Sequence, residues 1–241
     1  MRLRISHETR YHYQQPINGL IQILRLTPRN HDGQYVVDWR IEVSTDCRLE
    51  RYEDAFGNLT DTFSIRGHVD QLCVTVAGEV ETEDCHGVVR GTVERLPPSL
   101  YLRETDLTRA DRAIEAFANE IAINGPPDPL GRLHTLLSRL NDDIAYDQDP
   151  THAATTAAEA FALKRGVCQD ITHVFIAVAR RLGIPARYVG GYFCSGSDDD
   201  QVEASHDASH AWAEAFVPDL GWVGFDATNG ICITDATSAS P

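Results

Sequence analysis

Basic residues are scarce in this chain. Lys and Arg total 21 against 36 Asp and Glu, a formal net charge of -15 with a pI near 4.9. Phosphate backbones are bound by clustered Lys and Arg, so the balance argues against a nucleic-acid partner. The acidic residues are dispersed rather than blocked, as expected of a solvated surface. No run of about 20 apolar residues exists, so no membrane partner is expected. Met1-Arg2-Leu3-Arg4-Ile5-Ser6-His7 lacks the apolar core of a secretion signal, and a cytoplasmic location is expected. Internal repeats are also lacking. The six cysteines, Cys47, Cys73, Cys85, Cys168, Cys194 and Cys232, form no Cys-x-x-Cys pair and no zinc pattern. Free thiols in a reducing compartment follow, with no metal site and no cofactor. Cys73, inside Leu72-Cys73-Val74-Thr75-Val76, reads as a packing residue of a core strand.

What is present falls into two patterns. Alternating or β-branched runs at Leu3–Tyr13, Val36–Val43, Leu59–Arg66 and Leu72–Val80 are separated by Gly, Asn and Asp turns. They predict a β-sandwich over residues 1–95. Leu96-Pro97-Pro98-Ser99 opens a linker over 96–104. Beyond it, Ile114, Phe117 and Ile121 mark one helix, Leu133, Leu136, Leu137 and Leu140 a second, and Ala157–Leu163 a third. Strands return at Ala186–Phe193, Ser209–Val217 and Trp222–Ala227. Helices followed by strands predict an α+β domain over 105–241 with an antiparallel sheet. Thr234 to Pro241 reads as a small polar tail, although the prediction places it within that domain.

The chemistry centres on Gly166-Val167-Cys168-Gln169-Asp170. Ile171, Val174, Phe175, Val178 and Leu182 follow at helical spacing, Arg180 and Arg181 suit a last turn, and Gly183 and Pro185 close it. Cys168 therefore stands in a first helical turn. Unpaired backbone N–H groups and the positive end of the helix dipole favour a thiolate there. Downstream, Ser209-His210-Ala211-Trp212 and Trp222-Val223-Gly224-Phe225-Asp226 flank the turn Pro218-Asp219-Leu220-Gly221. Alternation puts His210 on one face with Trp212, Glu214 and Phe216. If the loop is Pro218 to Leu220, Val217 pairs with Gly221 and His210 lies opposite Thr228. Asp226 then becomes a diagonal neighbour of His210 on the same face. A four-residue loop would separate the two. Cys168, His210 and Asp226 are thus candidates for nucleophile, base and orienting carboxylate.

These motifs, with Gly183-Ile184-Pro185-Ala186-Arg187-Tyr188-Val189, resemble bacterial transglutaminase-like proteins of the cysteine-protease type. Ile5 to Tyr13, Leu24-Arg25-Leu26-Thr27-Pro28 and Tyr52 to Asn58 resemble that family's N-terminal domain. The family order Cys, His, Asp is kept, but Ala227 stands where the family usually has Pro after the Asp. Family chains also usually run on into further strands. The resemblance implies a papain/transglutaminase-like fold and thiol-dependent acyl transfer on an amide, hydrolytic by preference, with a peptide or protein substrate. Gln169, Tyr146 and Trp212 are candidates for oxyanion or substrate contacts. The rival expectation is a non-catalytic peptide- or protein-binding module on the same fold. A second copy of the chain is a further candidate partner for the β domain. His206 and His210 have a spacing that serves metal ligation on a helix, not at a strand start. Asp198-Asp199-Asp200 is expected to be a solvated loop beside the cleft.

Overall fold

The computed structural model describes residues 1–194, 202–204 and 209–239. The acidic run at 198–200 and His206 lie outside them. The first part contains strands β1 (Arg2–Thr27), β2 (Gln34–Val43), β3 (Glu50–Glu53) and β4 (Leu59–Thr82). Next come β5 (Val88–Val89), α1 (Arg112–Asn124), α2 (Pro129–Asp143), β6 (Ala145–Tyr146), α3 (Ala157–Leu163), β7 (Arg165–Gly166) and α4 (Cys168–Arg181). The remainder is β8 (Ala186–Phe193), β9 (Val202–Ala204), β10 (Ser209–Val217), β11 (Gly221–Asp226), β12 (Ile231–Cys232) and β13 (Thr237–Ala239). The protein is α+β with antiparallel sheets. No helix among the described residues is long and apolar enough to cross a membrane.

The N-terminal sheet runs β2-β4-β1-β9 with β3 also on β4. The four predicted strands are longer in fact, because β1 and β4 form one continuous antiparallel ribbon. Register shifts between His12 and Ile17 and between Asn18 and Leu20 bend it. The ribbon doubles over, so Leu24, Phe63 and Ile65 of its far half share a core with Leu72, Val74 and Val76 of its near half. Cys73 is only half-buried, its thiol turned from that core onto the opposite face from Leu72 and Val74.

The second sheet runs β12-β11-β10-β8-β13, with β5 beside β11. Helix α4 lies against it and is buried from Asp170 through Ala179. Ala213, Ala215 and Val217 of β10 share that helix's core, and their small side chains let backbone and helix approach closely.

Several short elements add pairings that the sequence patterns did not predict. β5 pairs Val88 and Val89 with Val223 and Trp222, so residues expected within the N-terminal domain belong to the second sheet. In return β9 adds to the N-terminal sheet, pairing in parallel with Leu3–Ile5. The expected linker contains an ordered 3-10 turn over Pro98–Leu102, whose buried Tyr101 packs edge-on against Trp222 at 5.0 Å. The expected polar tail contains β13, which pairs Thr237–Ala239 with Phe193–Gly191. Ser238 there is fully buried. Gly191 makes this possible, because a Cβ at that position would lie 2.2 Å from the Ser238 carbonyl oxygen.

Gln34 fastens the two halves. Its side chain accepts from the Ala239 N–H at 2.8 Å and donates to the Ala239 carbonyl at 3.1 Å and the Arg29 carbonyl at 2.8 Å. Gln34 is buried. Gln34→Leu should cost about 1–3 kcal/mol, since it strands buried backbone groups. Urea unfolding checks this, and an unchanged midpoint would show that the clamp contributes nothing.

Candidate active site

Helix α4 begins at Cys168, with Val167 as its extended N-cap residue. Asp170 closes the first turn by accepting the Val167 N–H at 2.9 Å. Its carboxylate packs onto Gly166, where a Cβ would lie 2.7 Å from Asp170 Oδ2. The glycine and the aspartate thus set the start of the helix together, and Asp170 complements the helix dipole. Cys168 is half-buried. Arg180 and Arg181 occupy the last turn, and Gly183 follows in the left-handed region at φ +76°.

The hairpin has the three-residue loop. Pairs run from Val217 with Gly221 to Ala213 with Phe225. Asp219 has φ +69° and Gly221 φ +89°, which turns the chain within that short loop. Asp226 consequently shares a face with His210, and His210 Nε2 donates to Asp226 Oδ2 at 2.7 Å. The other ring nitrogen is left free of Asp226, and Cys168 is near enough to the imidazole to act on its proton affinity. Burial alone would lower the His210 pKa. The bonds and charges of Asp226 and Cys168 outweigh it and push the imidazole up to about 9.

Asp226 is fully buried and fully satisfied. Besides His210, Asn229 Nδ2 donates to Oδ2 at 2.7 Å. The Thr228 and Asn229 backbone N–H groups donate to Oδ1 at 3.1 and 3.2 Å. Asn141 of α2 holds this turn from behind by donating to the Thr228 carbonyl at 2.8 Å. Buried Thr172 ties α4 to the histidine strand by donating to the Ala211 carbonyl at 3.2 Å. Sequence reasoning missed Asn229, Asn141 and Thr172. Only Asn229 carried a readable signal, as part of an Asp-initiated turn.

Tyr188 was also missed. Its ring stands 5.4 Å from that of His173, a buried residue of α4. Burial first, then the nearby charges of Cys168 and Asp170, push its hydroxyl up to about 12. Burial lowers the His173 pKa, and that ring packs rather than facing solvent.

The remaining expected residues have distinct settings. Tyr146 is exposed, on a strand pairing with Arg165–Gly166 just before Cys168. Gln169 spends its amide on the Ala153 carbonyl at 3.3 Å. Trp212 is fully buried beside Gly191, its ring 6.3 Å from that of His210. It therefore supports the site from behind rather than offering a face to substrate. Among the described residues no cluster of three or more His, Cys, Asp or Glu side chains is placed to hold a metal ion. A cleft of about 170 Å³ opens on His210. Gly190, Gly191, Tyr192 and Ser209 line one side, and His7, Arg25 and Leu26 of the N-terminal domain line the other.

Residues 3–81 match the bacterial transglutaminase-like N-terminal region, and residues 115–227 match the transglutaminase-like superfamily. An uncharacterized protein of Mycobacterium leprae is 32% identical over 242 residues, covering 97% of this chain and 85% of its own length. The chain belongs to the transglutaminase-like superfamily. A solved structure named "Putative Cysteine Protease", from Cytophaga hutchinsonii, shares the fold. Its TM-score is 0.73 at 20% identity, over 96% of this chain and 79% of that one. A Pseudomonas aeruginosa protein-glutamine gamma-glutamyltransferase is 28% identical over 120 residues, 47% of this chain but only 18% of that protein.

The raised His210 pKa makes a stability prediction. The folded protein holds this proton more tightly than the unfolded chain, whose imidazole has its ordinary value of 6.5. The resulting stabilisation is complete below 6.5 and is lost as pH rises through about 9. The stability of wild type relative to His210→Ala should therefore fall between those values, on top of a pH-independent packing difference. Urea unfolding at pH 6, 7.5 and 9.5 measures it, and a difference that stays constant with pH would rule the linkage out.

Proposed function

We propose that this family member transfers acyl groups from amides through a thioester on Cys168. The observation that carries this is the relay itself. A thiol at a helix start lies near an imidazole, and that imidazole donates at 2.7 Å to a fully buried carboxylate. Each part has a chemical task. His210 takes the Cys168 proton, and the sulfur attacks the substrate carbonyl carbon. The C–N bond breaks as His210 returns the proton to the leaving amine. His210 then deprotonates the acceptor, whose attack on the thioester breaks the C–S bond and expels the Cys168 thiolate, and the imidazolium returns its proton to the sulfur. Asp226 fixes the imidazole orientation and stabilises its protonated form. The Cys168 backbone N–H, free of helical bonding as a first-turn donor, would supply one hydrogen bond to the oxyanion.

The donor is a peptide bond or a glutamine side chain, and water is the favoured acceptor. The protease-type resemblance supports hydrolysis. The glutamyltransferase relative makes an amine the acceptor to test alongside it. No group beyond the chain's own residues is required by these steps.

Intact-mass labelling with limiting iodoacetamide, on wild type, Cys168→Ala and His210→Ala, tests the assembled pair. At pH 6 to 7 Cys168 should react at least about tenfold faster than any of the other five thiols. That advantage should vanish in His210→Ala. Slow, unselective labelling in wild type would reject acyl transfer and leave a binding module in its place. Where labelling is selective, a fluorescent primary amine added with a glutamine peptide separates transfer from hydrolysis.

A further inference from the structure

The wall opposite His210 comes from an irregularity in β1. Leu24 pairs with Asp61 and Thr27 with Leu59, so Arg25 and Leu26 together lie across from the single residue Thr60. Two residues against one is a bulge, which bends a strand and re-aims its side chains. The Leu26 carbonyl accepts from Trp39 Nε1 at 3.0 Å, which pins the bulge. Arg25 is pinned as well. Its Nε donates to Asp54 Oδ2 at 3.0 Å. Asp54 is held in turn by the Phe56 and Asn58 backbone N–H groups on Oδ1, at 2.9 and 3.0 Å, and by Asn58 Nδ2 on Oδ2 at 3.1 Å. Among the described residues Nη1 and Nη2 of Arg25 have no partner, and its side chain is 49% exposed.

The charge of this cleft is out of keeping with the chain. The protein has 36 Asp and Glu against 21 Lys and Arg, yet none of the described residues lining the cleft is acidic. The ionisable groups there are Arg25, His7, His210 and Tyr192. Burial pushes the Tyr192 hydroxyl up to about 12, so it stays neutral. The His7 ring packs edge-on against that phenol at 5.8 Å. Asp54 meets Arg25 without lining the cleft, and Asp226 is fully buried. Gly190 and Gly191, on the His210 side, add no side chain to the space between the walls. A guanidinium with an unused fork, in a cleft free of carboxylates, suits a planar anion with two oxygens. Asp54 already offsets part of the Arg25 charge, which favours a carboxylate over a doubly charged phosphate.

We propose that Arg25 is a specificity residue that binds a carboxylate on the acyl donor, close to the amide that Cys168 attacks. The donor's role rests on the acyl-transfer proposal above; the binding of a carboxylate by Arg25 does not. The carboxylate is either an Asp or Glu side chain or a free C-terminus, since both present the same two oxygens. Arg25 takes no part in bond breaking. It selects which amides reach the nucleophile.

Alkylating probes that carry the group test this. N-iodoacetyl-glycine presents a terminal carboxylate, and the α-amide of N-iodoacetyl-aspartic acid presents a side-chain one. Each is compared with its neutral partner, N-iodoacetyl-glycinamide or the amide of N-iodoacetyl-asparagine. Peptide mapping gives the acid-to-amide rate ratio at Cys168, with the other cysteines of the same sample as the reference for probe chemistry. His210 is present in every variant, so a difference between wild type and Arg25→Gln belongs to Arg25. For one pair of probes or both, the wild-type ratio should exceed that of Arg25→Gln by about three- to tenfold, the range of a partly exposed charge-assisted pair. The pair that responds identifies the source of the carboxylate. Arg25→Lys keeps the charge without the fork and should lose at least about half of the preference. Asp54→Asn loosens the same loop but keeps the cation, and should retain the preference. Equal ratios in wild type and Arg25→Gln, an undiminished ratio in Arg25→Lys, or an equal loss in Asp54→Asn would overturn the proposal. The last would mark a purely structural arginine. If Arg25→Gln does not fold, the Arg25→Lys and Asp54→Asn ratios decide. Iodoacetamide labelling of wild type separates the two proposals. Unselective labelling with the Arg25-dependent ratio intact sinks acyl transfer and leaves a carboxylate-binding cleft, and the reverse outcome sinks only the role of Arg25.

Discussion

The site depends on holding one carboxylate in place with no exposure to water. Asp226 is fully buried, and an unpaired charge in such a place costs several kcal/mol. Four N–H donors offset that cost, one from His210, one from the Asn229 side chain and two from the turn after β11. The arrangement fixes more than a charge. With Oδ1 occupied by backbone donors and Oδ2 shared by Asn229 and His210, the imidazole is held in one orientation. The Asn141 bond to the Thr228 carbonyl links this turn to α2, and the Thr172 bond links α4 to β10. Both helices therefore hold parts of one hydrogen-bonded frame. Displacement of the turn would loosen the histidine before it touched the cysteine.

The two halves of the chain are built into one another around that frame. β5 crosses into the second sheet, β9 returns to the first, and the Gln34 amide grips the backbone of β13. The N-terminal domain also supplies His7, Arg25 and Leu26 to the wall facing His210. It is thus part of the candidate site's architecture, not an appendage. Its bent ribbon matters here, because Trp39 of β2 donates to the Leu26 carbonyl at 3.0 Å and so holds the far end of β1 in place.

Much of this was legible in the sequence, for identifiable reasons. The start of α4 could be read because an apolar 3.6-residue period begins immediately after Cys168. The His210–Asp226 contact could be read because side-chain alternation and an odd loop length jointly determine which residues share a face. The hairpin register from Val217–Gly221 to Ala213–Phe225 follows that parity. β5 and β13 could not be read. A two-residue strand has no period, and Thr237-Ser238-Ala239 is small and polar because it fits over Gly191, a tertiary fact. Trp212 misled for a related reason: an aromatic beside a candidate histidine reads as a binding surface, whereas here the neighbouring glycine makes room to bury it. Thr172 and Asn141 act through single hydrogen bonds across the fold, and nothing local in their segments announces those partners.

β8 unites these strands of evidence. One of its edges pairs with the histidine strand, so its position is locked to the relay. Its opposite edge pairs with β13 at Gly191–Phe193, and the Ala186 carbonyl there accepts from Arg180. Arg180 is instructive here. Its guanidinium donates to the Tyr101 and Ala186 carbonyls and the Thr108 hydroxyl, all neutral acceptors, and burial lowers its pKa. This partly desolvated cation joins α4, the Pro98–Leu102 turn and β8 at one point. The position of β8 and the position of Cys168 are then set by the same helix.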